Sequence, residues 1–280
     1  MRSLQLGDAR ISIINTGDLG YRLKEMDDVP EMEWKPKYSA VFEQVNRYPS
    51  QSVFISIPGW PSILVDAGDY ASFSSAASEY AIPDYVPPPS LIDQLISLDV
   101  SRDQVNYVLI THAHYDHYAG VTMKTKDGSF VPTFPDAVHL LGREDFENPE
   151  TQKALSDPSS EDARTLGVLN RMGLLELVKG ERVLCDEAKV IASPGETPGH
   201  KTLKVSSKGR TLYCVGDLFH HAVEVEHPSW MAKWDDPRTN LKSRNELINL
   251  ALKEGALILP SHMPLGELQR TGTGALFIEI

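Results

Sequence analysis

The segment His112-Ala113-His114-Tyr115-Asp116-His117 puts three histidines and one aspartate into six consecutive residues, directly after the apolar run Val105 to Ile110. That run has the length and composition of a buried strand. The chain must therefore fold with a strand that releases four metal-competent side chains at its C-terminal end. A lone histidine is usually a packing residue. Four such groups on one turn crowd imidazoles against a carboxylate, which is unfavourable unless a cation organises them. His112 and His114 alternate at the strand end and project in one direction. Asp116 and His117 follow the chain round to a second point nearby.

One turn cannot close two coordination shells, so partners are expected downstream at strand ends or tight turns. Pro194-Gly195-Glu196-Thr197-Pro198-Gly199-His200 presents His200 after two Pro-Gly turns of the kind that make a rigid loop. Val215-Gly216-Asp217 ends an apolar run with a carboxylate, and Ser261-His262 ends another. Nitrogen and oxygen ligands without thiolate favour zinc, with manganese, iron and cobalt as alternatives.

Around these residues the pattern is strands alternating with helices, an α/β arrangement whose strand C-termini carry the chemistry. Strands are expected at Ile11–Ile14, Val53–Ile57, Ser62–Val65, Val105–Ile110, Ala137–Leu141, Lys189–Ala192, Thr211–Val215 and Ala256–Leu259. Ser90 with Asp93 forms a capping-box pattern before the apolar face Leu91, Ile92, Leu95 and Ile96. Helices are also expected over Glu161–Val178 and Leu241–Glu254, the latter stopped by Gly255. The stretch Tyr21 to Tyr48, with Trp34, Tyr38, Phe42 and Tyr48 among charges and prolines, reads either as an excursion packed on its own aromatics or as a pocket flap or dimer contact. Trp230 and Trp234 read either as a pocket wall or as the anchors of their own loop, and His139 as structural.

The 280 residues hold 27 Lys and Arg against 39 Asp and Glu, a net charge of −12, so a phosphate-backbone binder is excluded for want of a basic stripe. The N-terminus lacks a secretory pattern, no window suits a membrane span, and Cys185 and Cys214 read as buried free thiols. A cytoplasmic protein with no nucleic-acid or membrane partner is expected.

The pattern His112-x-His114-x-Asp116-His117, followed by His200, Asp217 and His262, resembles the metallo-β-lactamase-fold hydrolases from about Val53 to His262. The resemblance implies an αββα sandwich in a single domain over residues 1–280, with residues 21–50 as an N-terminal excursion. It implies two metal ions: His112, His114 and His200 hold one, Asp116, His117 and His262 the other, and Asp217 bridges them. Asp66 matches an aspartate that orients a ligand histidine. Glu196 stands where the family often has a histidine, and it is not expected to be a ligand. With 18 residues after His262, there is no room for the helical extension of glyoxalase II, and the arrangement is most similar to the lactonase branch. His220 stands where quorum-quenching lactonases commonly place a tyrosine and methyl parathion hydrolase-like proteins a histidine. The resemblance therefore implies a zinc-dependent hydrolase of small lactones or esters, with promiscuous phosphotriesterase activity as an extension. Thioester or β-lactam hydrolysis, and a non-catalytic metal-binding role, are the alternatives. Two cations about 3.5–4 Å apart would share a hydroxide whose pKa is brought towards neutrality. Asp116, Asp217 and His220 would serve that chemistry, and a homodimer contact through Trp34 to Tyr48 is a further expectation.

Overall fold

Apolar residues of the central strands alternate between two destinations, and that alternation builds the layers. Leu109 of Val108-Leu109-Ile110, Cys214 of Tyr213-Cys214-Val215, and Leu257 and Leu259 around Ile258 all point into one shared core. Val108 and Ile110 face the opposite way, onto Leu91 and Leu95 of the helix Leu91–Ile96. Tyr213, Val215 and Ile258 likewise face Leu247, Ile248 and Ala251 of the helix Pro237–Glu254. The result is helix, sheet, sheet, helix, which is the αββα sandwich expected, in one domain.

The structure, a computed structural model, describes residues 1–72, 82–272 and 274–280. In chain order the first half contains β1 (Arg2–Leu6), β2 (Ala9–Tyr21), β3 (Asn46–Ser56), β4 (Ile63–Val65), β5 (Tyr107–Leu109), β6 (Thr122–Lys124), β7 (Phe130–Pro132), β8 (Val138–Gly142) and β9 (Leu175–Val178). All but the β6–β7 ribbon form one sheet, antiparallel from β1 to β4 and parallel through β4, β5, β8 and β9. The second sheet takes β10 (Arg182–Cys185), β11 (Ala188–Ala192), β12 (Lys201–Ser207), β13 (Arg210–Gly216), β14 (Leu257–Pro260), β15 (Gly266–Arg270) and β16 (Ala275–Glu279), with β13 and β14 its parallel pair. Parallel pairing aligns strand C-termini, so the residues after β4, β5, β13 and β14 gather at one edge of the sandwich.

Ser90 caps its helix by accepting from Asp93 N, and Gly255 closes the long helix in the left-handed region at φ 58°, as its position implies. The span Glu161–Val178 is not one helix. It breaks at Thr165 (φ −112°, ψ −89°) into Glu161–Arg164 and Leu166–Arg171, and Gly173 at φ 70° then releases the edge strand β9. Leu174, Leu175, Leu177 and Val178 have a spacing that suits a helix, while Leu175 and Leu177 also share one face of a strand, and pairing with β8 decides for the strand. Cys185 and Cys214 are free and buried. Among the described residues, no helix is long and apolar enough to cross a membrane.

The excursion between β2 and β3 folds as two helices, Leu23–Met26 and Glu31–Glu43, the second kinked at Tyr38 just after Pro36. Trp34, Tyr38, Phe42 and Tyr48 are buried with Trp230 of the loop that follows Asp217. Trp34 stacks on Phe42, and Tyr38 and Phe42 each meet Trp230 edge-on. These aromatics are packed inside the chain. Their packing fixes one wall of the site described below.

His139 in β8 is fully buried and neither ring nitrogen has a hydrogen-bond partner. Burial pushes its pKa down to about 4. The folded chain therefore holds it neutral while the unfolded chain protonates it near 6.5. Stability from this group is full above pH 6.5 and falls as the pH drops towards 4. The free-energy gap between wild type and His139→Leu in urea unfolding should shift by about 3 kcal/mol in favour of the variant between pH 7 and pH 4. A gap that does not change with pH would contradict the assignment.

Candidate metal centre

The turn after β5 is held by Asp66, the residue directly after β4, whose backbone is left-handed at φ 56°. Its carboxylate accepts from Thr111 N at 2.8 Å, Thr111 Oγ1 at 3.0 Å, Ser261 Oγ at 3.1 Å and His117 Nδ1 at 2.9 Å. An imidazole that donates through Nδ1 turns its Nε2 to the other side, where it offers a lone pair once that nitrogen is deprotonated. His117 Nε2 accordingly faces Asp217 Oδ2 at 3.2 Å and Asp116 Oδ2 at 3.5 Å. His262 is set the same way: Nδ1 donates to Pro49 O at 2.9 Å, and Nε2 lies 3.1 Å from Asp217 Oδ2 and 3.3 Å from Asp116 Oδ2. Asp116, His117 and His262 thus form one group whose ligand atoms all lie within 4.8 Å of one another.

The second group satisfies the same criterion and contains His112, His114, Glu196 and Asp217. His112 Nε2 lies 2.9 Å from His114 Nδ1 and 3.7 Å from Asp217 Oδ2. Glu196 Oε1 lies 3.2 Å from His114 Nδ1 and 4.0 Å from His112 Nε2. His200, which the resemblance assigns to this shell, stands beside His112 with ring centroids 5.2 Å apart. His200 Nδ1 is 3.0 Å from Ser193 O, to which it donates, while His200 Nε2 accepts from the backbone N–H of Asp217 at 3.1 Å. Neutral imidazole has one donor and one acceptor, and both are used. Burial pushes His200 down to about 4, in keeping with a neutral ring that anchors the chain at Asp217. Gly216, at φ 56°, must be glycine because a Cβ there would stand 2.5 Å from His200 Nε2.

Asp145 clamps the loop that carries Glu196. It accepts from Ala113 N at 3.1 Å, Thr197 Oγ1 at 2.7 Å and Gly199 N at 2.6 Å, tying this loop to the histidine turn. Nothing near Asp145 in the sequence marks it, because its partners lie 32, 52 and 54 residues away. His220 also faces the centre, with Nε2 3.4 Å from Asp217 Oδ2 and 3.8 Å from Glu196 Oε1. Behind it Glu224 accepts from His220 N at 2.8 Å and pairs with the fully buried Arg244 at 2.9 Å. Arg244 also donates to the carbonyls of Leu218, at 2.7 Å, and Trp230.

Electrostatics and unmet hydrogen bonds point the same way. Burial opposes charge on His262, yet the Asp217 and Asp116 carboxylates raise it to about 9. Burial would also raise Asp217, and the positive charge of His117 and His262 instead holds it well below the carboxylate range. His117 Nε2, Asp217 Oδ1 and Glu196 Oε2 are buried without a hydrogen-bond partner. Buried polar atoms are normally satisfied, and this donor set of imidazole nitrogens and carboxylate oxygens fits divalent cations. Above it lies a cavity of about 180 Å³ walled by Leu19, Tyr21, Met26 and Trp234, with His114, Asp116, Asp217, His220 and His262 at its base. Trp234 therefore belongs to the pocket, while Trp230 is the buried anchor.

The family model described as the metallo-beta-lactamase superfamily matches residues 45–262, a span that contains every residue of both ligand groups. The chain belongs to this superfamily. No curated protein matches its sequence. Three solved structures share the superfamily fold at 20% identity. AidC, a dizinc quorum-quenching lactonase, is matched over 100% of this chain and 97% of its own with a TM-score of 0.78. A probable metal-dependent hydrolase from Staphylococcus aureus is matched over 99% of both chains with a TM-score of 0.78. The hydrolase AbOPH in the beta lactamase superfamily is matched over 99% of this chain and 96% of its own, with a TM-score of 0.77.

Removing Arg244 should strand the buried Glu224 carboxylate. Arg244→Met is expected to cost about 3–5 kcal/mol in urea unfolding, and Glu224→Gln in the same chain should recover part of that loss. Additive losses from the two substitutions would show that the pair is not coupled.

Proposed function

We propose that the chain is a dinuclear metal-dependent hydrolase that opens small lactones or cleaves related carboxylic esters. The observation that carries this reading is the convergence on Asp217, whose Oδ2 lies 3.1–3.7 Å from His262, His117 and His112. Asp217 so joins the two ligand groups at the base of a cavity. Divalent cations bound there would supply Lewis acidity and bring a coordinated water's pKa towards neutrality.

The chain's own residues do the rest. Asp217 belongs to both groups and holds them in register, and Asp116 completes the outer one. Asp66 and Pro49 O fix the imidazole planes of His117 and His262 from behind, so little reorganisation is needed on binding. His220 Nε2, at the cavity base, is placed to donate to a substrate carbonyl oxygen as negative charge develops there. Leu19, Met26, Tyr21 and Trp234 offer an apolar wall for a short acyl or alkyl group. A cavity of about 180 Å³ lies below the usual 300–1,000 Å³ of drug-sized ligand sites, which favours small substrates. The fold shared with a quorum-quenching lactonase supports testing lactones first.

The test is metal analysis followed by turnover on lactones of graded ring and chain length, simple esters, thioesters, β-lactams and phosphotriesters. Two divalent ions per chain and fastest turnover on a lactone or ester are expected. Two bound metals with no turnover on any of these substrates would instead favour a non-catalytic metal-binding role. Asp217→Ala should abolish turnover, and retained turnover with two metals bound would contradict the shared role of Asp217. His220→Phe should lower kcat/KM on the best substrate by about 10²-fold, the scale of one lost oxyanion donor; an unchanged value would remove His220 from the mechanism.

A further inference from the structure

We propose that Glu196 determines which substrates fit: its carboxylate anchors the Trp234 indole as a wall of the cavity and so limits the length of the acyl or alkyl group admitted. This rests on the reading of the site as a lactone or ester hydrolase, and it names the side chain that sets the size of that site.

Trp234 walls the cavity beside Leu19, Tyr21 and Met26, yet the residue is 49% exposed. An indole with so much of its surface in water has little packing to hold it in one rotamer. The backbone beneath it is pinned on both sides: Lys233 N donates to Met26 O at 3.0 Å, and Asp236 N to Gly195 O at 2.9 Å. What remains adjustable is the ring. Its Nε1 donates to Glu196 Oε1 at 2.6 Å, and a hydrogen bond to a charged acceptor is stronger than one between neutral groups. Held there, the ring stands nearly perpendicular to those of His114 and His220, with centroids 6.3 Å and 6.0 Å away.

Glu196 is itself fixed. Its side chain is fully buried and hydrogen-bonded to Asp235. Glu196 Oε2 and Asp235 Oδ1 meet no donor while both groups are ionised, and a proton on Asp235 supplies one. Burial, the hydrogen bond with Glu196 and the Glu196 charge push Asp235 up to about 10. Asp235 is held in turn by Asn240 of the helix Pro237–Glu254, whose Nδ2 donates to Oδ2 at 2.5 Å. Hydrogen bonds thus run from the long helix through Asp235 and Glu196 to the indole, so buried groups position a half-exposed ring. Glu196→Leu keeps most of the volume but offers the indole no acceptor. The ring is then free to swing outward, and the cavity of about 180 Å³ opens on that side. Glu196→Gln keeps a carbonyl oxygen for the indole N–H.

The test reads two quantities on the full-length chain loaded with Zn²⁺. The first is hydrogen exchange of the indole N–H groups by NMR, with the Trp234 signal identified by its loss in Trp234→Phe and Trp60, 41% exposed, as the reference. The second is the ratio of kcat/KM for a lactone with a decanoyl side chain to that for one with a butanoyl side chain. In the wild type, Trp234 should exchange about tenfold more slowly than Trp60. Glu196→Leu should bring it to the Trp60 rate and raise the decanoyl-to-butanoyl ratio about tenfold, while Glu196→Gln should leave both near wild type. A Trp234 indole that exchanges as fast as Trp60 in the wild type, or a folded Glu196→Leu chain with an unchanged ratio, would overturn the inference and leave the proposed hydrolase standing. A chain that turns over no lactone or ester overturns the proposed function and this assignment with it. If Glu196→Leu does not fold, Trp234→Phe decides, because it keeps a ring and removes the donor; an unchanged ratio then counts against the inference.

Discussion

One buried carboxylate joins the two sheets at the edge where the chemistry sits. Asp66 follows β4 in the first sheet, accepts from both backbone and side chain of Thr111 at the end of β5, orients His117, and takes a fourth hydrogen bond from Ser261 beyond β14 in the second sheet. A carboxylate can accept about four hydrogen bonds, and this one uses them to tie its own strand end to two other chain segments. The parallel pairs in each sheet align their strand ends. Asp66 then sets the distance between those ends, which brings His262 and Asp217 onto the histidine turn.

A second layer of buried charge fixes the other side. Arg244 reaches from the long helix under the loop after β13, pairs with Glu224 and donates to three carbonyls of that loop. The excursion of two helices packs its aromatics on Trp230 of the same loop. The pocket wall and the position of His220 thus depend on contacts between segments far apart in the chain. Sites built from such contacts tolerate little displacement, since about 1 Å of misplacement can cost 10²-fold in rate.

The alternation of strands with helices and the histidine turn were legible because they are local: short apolar runs mark buried strands, and the crowded turn needs no partner to be noticed, whereas the αββα layering came from the resemblance. Asp217 and His262 were legible as polar ends of apolar runs, and the structure brings both to the turn. What sequence spacing cannot resolve is how the side chains of a rigid loop pack: Glu196 is buried against His114 and Trp234, partners far from it in the chain. Asp145 and Arg244 were invisible for the same reason, because their roles exist only after distant segments meet. The misread helix at Glu161–Val178 failed on period: its last apolar residues fit a helix or an edge strand, and only the neighbouring β8 chooses.

The account stands on a pair of cations gripped between Asp217 and two groups of buried ligands. Crystals of the metal-loaded chain, measured with anomalous scattering at the metal absorption edge, test it directly. Two peaks are predicted, one on His112 and His114 and one among Asp116, His117 and His262, with Asp217 touching both. A single peak, or two peaks that Asp217 does not join, would contradict it.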